Sequence, residues 1–152
     1  MDFKYIGIIL LILIAVAGLF FFLGNDSGTQ NIGEKTFSVP EGFHVIKSTN
    51  DSVKMSDGSN EIILLLSNEK NLDNATTNYK KINGDKYDIK ITNVTLSNQT
   101  MKKTEAVRIG SEKNGTITKL WFVKNKTVYN IQTSNGTKTI EHVATGIVDS
   151  IN

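Results

Sequence analysis

The chain of 152 residues carries 17 basic and 15 acidic side chains, two histidines and no cysteine. The missing thiols exclude disulfides, lipid attachment through cysteine, thiolate metal sites and a cysteine nucleophile. Charge is nearly balanced and no basic run exceeds Lys80-Lys81 or Lys102-Lys103, so nucleic acid is not an expected partner.

After a five-residue stub, residues 6–23 read IGIILLILIAVAGLFFFL, with no charge and no proline. As a helix this stretch would span ~27 Å, close to the ~30 Å hydrocarbon core of a bilayer. It is apolar on every face, unlike a core helix of a soluble domain. The expectation is an uncleaved signal-anchor, with residues 1–5 in the cytoplasm and the lipid bilayer as the partner of residues 6–23. Two other readings compete. Ala15-Val16-Ala17 fits the small-x-small pattern of a cleaved leader, but Leu19 to Leu23 carry the apolar run past it. A pilin-like assembly helix would need a basic-glycine cleavage site and an early glutamate, and neither is present.

Residues 24–34, opening GNDSGTQNIG, read as a flexible spacer. The remainder, 35–152, is the size of one domain and is expected to stand outside the cell. Strands are expected at Lys35–Val39, stopped by Pro40, and at Phe43–Ile46 and Ser52–Met55. Asp57-Gly58-Ser59-Asn60 signals a hairpin into Ile62–Leu66, a continuous apolar run that reads as a central strand covered on both faces. A helix follows over Leu72–Ile82, capped by Asn71 or Asp73, with Leu72, Ala75, Tyr79 and Ile82 on its apolar side. From Tyr87 the period returns to two. Tyr87, Ile89 and Ile91 alternate, then Val94 and Leu96 continue with shifted parity, which predicts a bulge or break near Thr92-Asn93. Three more strands are expected at Lys103–Ile109, Thr116–Lys124 and Thr127–Thr133, joined at Asn114-Gly115 and Lys124-Asn125-Lys126. Ile140, Val143, Ala144, Ile147, Val148 and Ile151 then follow the spacing of a one-sided helix that closes the core. The fold class is α+β, an N-terminal transmembrane helix followed by one domain with a mainly antiparallel sheet packed by two helices.

The phrase Phe37-Ser38-Val39-Pro40-Glu41-Gly42-Phe43, the strand Lys119-Leu120-Trp121-Phe122-Val123 and the ending Ile147-Val148-Asp149-Ser150-Ile151 resemble the PsbP-like fold family. That family includes Mog-type Ran-binding proteins and uncharacterised anchored prokaryotic domains. The resemblance implies a fold and a partner-binding role. It transfers no catalytic residue.

Asn25, Asn50, Asn74, Asn93, Asn98, Asn114, Asn125 and Asn135 each begin an Asn-x-Ser/Thr triplet. With 16 Asn and 27 Ser plus Thr, composition alone gives about three. The excess suits a glycoprotein facing outward, and several of the sites fall at expected turns, where a glycan would be solvated. Turn selection of Asn and strand selection of Thr also produce such triplets.

His44 and His142 are the candidates for acid–base or metal chemistry, but no carboxylate or histidine stands at ligand spacing. Asp51, Asp57 and Glu61 crowd one hairpin without forming a calcium-loop ligand run. No phosphate loop, nucleophile elbow or HExxH run is present, so neither a cofactor nor a metal is expected. Trp121, Phe122 and Tyr129 form the aromatic group of the last hairpin, either core or a binding patch. The leading expectation is a non-catalytic module holding a surface protein or wall component. The alternatives are a hydrolase or metal-dependent enzyme whose site assembles from scattered His, Asp and Glu, or a pilus-like subunit.

Overall fold

The computed structural model describes residues 28–110, 115–133 and 137–152. Residues 6–23, where the sequence places the anchor, lie outside this range. Among the described residues, no helix is long and apolar enough to cross a membrane.

A hairpin of β1 (Thr29–Ile32) and β2 (Lys35–Ser38) opens the fold. It is followed by β3 (His44–Ser48), β4 (Ser52–Ser56), β5 (Glu61–Ser67) and helix α1 (Leu72–Asn83). Two long strands, β6 (Tyr87–Leu96) and β7 (Gln99–Arg108), lead to β8 (Ile117–Lys124), β9 (Thr127–Thr133) and helix α2 (Thr137–Ser150). Strands β3 to β9 form one sheet in the order β3-β4-β5-β9-β8-β7-β6, with every neighbouring pair antiparallel. The architecture is α+β.

Strand alternation sorts the side chains onto two faces. Leu120 and Phe122 of β8 and Tyr129 and Ile131 of β9 join Ile62, Leu64, Val53 and Met55 under α2. The stripe Ile140, Val143, Ala144, Ile147, Val148 and Ile151 is buried there, as its spacing predicts. On the reverse face Trp121, Val123 and Val128 pack with Ala75, Leu72 and Tyr79 of α1. The two helices therefore cover opposite faces of one sheet.

Four expectations need correction. Residues 29–32 are not spacer: Ile32 is fully buried in the core, and Gly33, at φ +59, turns the chain into β2. One apolar residue in a four-residue strand leaves no periodic signal to read. The shifted parity in β6 needs no bulge, because its register with β7 is unbroken from Tyr87↔Arg108 to Leu96↔Gln99. Ile89 is buried on the α1 face, whereas Val94 and Leu96 pack on the α2 core, so the two halves of one straight strand are covered from opposite sides. The irregularity lies in β3, between Val45 and Lys47. Ile82 is 68% exposed, because α1 buries only the Leu72–Ala75–Tyr79 side of its length. Finally, β5 is an interior strand, paired with β4 and β9, but it is not covered on both faces, since Ile63 and Leu65 are only half-buried.

Candidate functional site

The aromatic residues of the last hairpin form no surface patch. Phe122 and Tyr129 stack at 5.5 Å between ring centroids, inside the core beneath α2. Trp121 points to the other face and is 5% exposed. Adjacent positions on a strand face opposite ways, so Trp121 and Phe122 could not share a patch.

What β8 does present beside Trp121 is Lys119. Both belong to the odd positions of the strand, and α1 lowers Tyr79 onto them. The Lys119 Nζ lies 4.5 Å from the Tyr79 ring centroid and 5.4 Å from that of Trp121. The two rings are 5.6 Å apart and tilted at 52°. A cation over aromatic faces is attracted by the ring quadrupole. Lys119 joins no salt bridge among the described residues, and burial alone lowers its pKa to about 8. Burial also raises the Tyr79 hydroxyl, with Tyr87 adding to the effect.

The floor of this cradle is polar. The Trp121 Nε1 donates to Thr104 Oγ1 at 3.0 Å, and both residues are buried. Asn130, opposite Trp121 on β9, is 4% exposed, and its Oδ1 accepts no bond among the described residues. A half-buried amine held over two rings is a hydrogen-bond donor that suits a carboxylate or carbonyl carried by a partner. Sequence reading missed it. The signal was a lysine two positions before a tryptophan, leading into the apolar run Leu120 to Val123.

The histidines do not converge. His44 on β3 and His142 on α2 are both exposed, and no group of three His, Cys, Asp or Glu suited to a metal occurs among the described residues. The Asp57 carboxylate is committed to its own turn. It accepts from Asn60 Nδ2 at 2.9 Å, from Asn60 N at 2.6 Å and from Ser59 N at 2.8 Å, which holds its pKa low, the Asn60 side chain contributing most.

The glycosylation triplets fall into a pattern that the sequence hid. Asn50, Asn74, Asn93, Asn98 and Asn125 are all exposed. Asn98, at φ 57, turns β6 into β7, and Asn125, at φ 51, turns β8 into β9. The pairs Lys102↔Trp121 and Ser67↔Val128 bring these turns, the end of β5 and the start of α1 to one end of the sheet. The β3–β4 turn holding Asn50 joins them through Ser52↔Leu65, Asn74 lies in the first turn of α1, and Asn93 sits three residues before the end of β6. All five therefore crown one end. Asn25, Asn114 and Asn135 lie outside the described residues.

The β1–β2 turn also points to the crowned end. Gly33 N donates to the Asn50 carbonyl, and Gln30 Nε2 donates to Ser48 Oγ at 3.1 Å. The chain thus enters the fold at Gly28 and runs toward the crowned end, about 16 Å away along five strand residues.

No family profile and no curated protein matches the chain by sequence. Among solved structures it is similar to the solution structure of cyanobacterial PsbP (CyanoP) from Synechocystis sp. PCC 6803. The TM-score is 0.51 at 12% identity, covering 84% of this chain and 92% of that one. The chain has a PsbP-like fold. At this identity the likeness speaks for architecture alone.

Proposed function

Starting from this PsbP-like fold, we propose that the chain is a single-pass membrane-tethered domain displayed on the cell surface. Residues 6–23 anchor it in the lipid bilayer, and its role is to bind a protein or wall component without catalysing a reaction. The observation that carries this reading is the two-ended arrangement. From Gly28 the chain runs along β1 toward the end where the five described triplet asparagines stand, and such a course would carry that end away from an anchor at residues 6–23. Glycans there would sit in solvent, away from both lipid and core.

The Lys119 cradle supports a binding role. It offers a desolvated donor and two aromatic walls. A partner presenting an acidic or carbonyl group would gain a charge-assisted hydrogen bond in a site already partly stripped of water.

The test is the intact mass of the protein purified from its native membranes. A mass above 16.8 kDa by discrete sugar increments, mapped to Asn50, Asn74, Asn93, Asn98 and Asn125, is the expected result. The unmodified mass would reduce the triplets to turn chemistry and remove this support. A smaller mass, lacking residues 6–23, would overturn the tether.

A further inference from the structure

Among the described residues, two of the three large exposed hydrophobic side chains, Ile82 at 68% and Ile109 at 59%, lie at the end of the domain opposite the triplet crown. Ile82 belongs to the last turn of α1, and Ile109 follows β7, its N–H bonded to the Lys86 carbonyl. Lys86 and Arg108 stand exposed beside Ile109, where Asp85 and Tyr87 border the same cleft. Lys81 is exposed on α1 next to Ile82 in sequence, on the side that carries Asn74 and Asn78. Over residues 80–88 and 108, four cations face two carboxylates, Asp85 and Asp88. Isoleucines ringed by long basic side chains and a tyrosine match the chemistry of a membrane interface, where apolar tips enter and cations meet anionic headgroups.

The length of the tether brings this end to the lipid. From Leu23, the last residue of the apolar segment, to Gly28 is five residues, which reach at most about 17 Å. Strand β6 is ten residues long, about 30 Å, and Gly28 enters roughly 16 Å back from the crowned end. The Ile109 end therefore extends on the order of 10 Å beyond Gly28 toward the anchor. A fully stretched tether leaves it within the headgroup layer, which is about 5–8 Å thick on each side of the hydrocarbon.

We propose that the α1–β6 and β7 end of the domain, through Ile82, Ile109, Lys81 and Lys86, rests on the anionic lipid surface. This rests on the tethered reading. It adds that the domain stands upright on the bilayer with its triplet crown outward.

The chain has no cysteine, so single labels can be placed cleanly. Full-length Ile82→Cys, Ile109→Cys, Asn98→Cys and Asn125→Cys are labelled with a nitrobenzoxadiazole dye. They are then reconstituted into phosphatidylcholine–phosphatidylglycerol vesicles containing spin-labelled lipid. Quenching several-fold stronger at 82 and 109 than at 98 and 125 is expected, and it should weaken in the Lys81→Glu/Lys86→Glu background. Equal quenching at the two ends, in protein that floats with the vesicles, would overturn the contact and leave the tether intact. Protein that fails to float would overturn the tether, and this contact with it.

Discussion

Lys119 is the residue whose surroundings depart furthest from what its neighbours in sequence suggest. Its pKa falls to about 8 in the fold, against about 10.4 in an open chain. Between these values the unfolded chain binds more protons than the folded one, so the stability of the protein rises as pH climbs from about 8 toward 10.4. Lys119→Met removes that rise. Urea midpoints of the two proteins should converge or cross in favour of the natural chain between pH 7 and pH 10, and a constant difference would count against a desolvated amine. Beside it, Thr104→Val leaves the buried Trp121 indole N–H without its acceptor, at a cost of about 1–3 kcal/mol. A double-mutant cycle with Trp121→Phe should return a coupling on that order, whereas additive losses would mean the bond contributes nothing.

The elements follow from periodicity where one partner covers one side. Helix α2 reads cleanly because its stripe meets a single continuous core, and Ile147, fully buried, should cost about 2–5 kcal/mol when cut to alanine. Ile82, on the apolar side drawn for α1 from spacing alone, should tolerate serine within about 0.5 kcal/mol. Chemical denaturation of the two variants distinguishes these outcomes directly. Asn71, read as a cap, does accept from Asn74 N at 2.8 Å, and the turn signals at 57–60 and 124–126 mark real hairpins. Legibility fails where one element serves two partners. Strand β6 changes face midway because α1 covers its first half and the α2 core its second, which the sequence presents as a slip in register. Strand β1 was invisible because Ile32 alone contacts the core. The Lys119 cradle was equally hidden: Tyr79, Thr104, Lys119 and Asn130 come from four elements, and only the sheet order brings them together.

At the scale of the molecule, antiparallel order sends alternate turns to opposite ends, and here the two ends differ in chemistry. One gathers the triplet asparagines of the described residues. The other gathers the exposed Ile82 and Ile109 with cations beside them. A domain with such ends is polarised along its strands, which is what a short tether to a membrane would require. The most direct measurement is side-specific labelling in the cells that make the protein, using Asn98→Cys and a membrane-impermeant maleimide. The account predicts labelling on intact cells and retention in the membrane fraction after an alkaline carbonate wash. Labelling only after lysis, or release of the labelled chain into the soluble fraction, would contradict it.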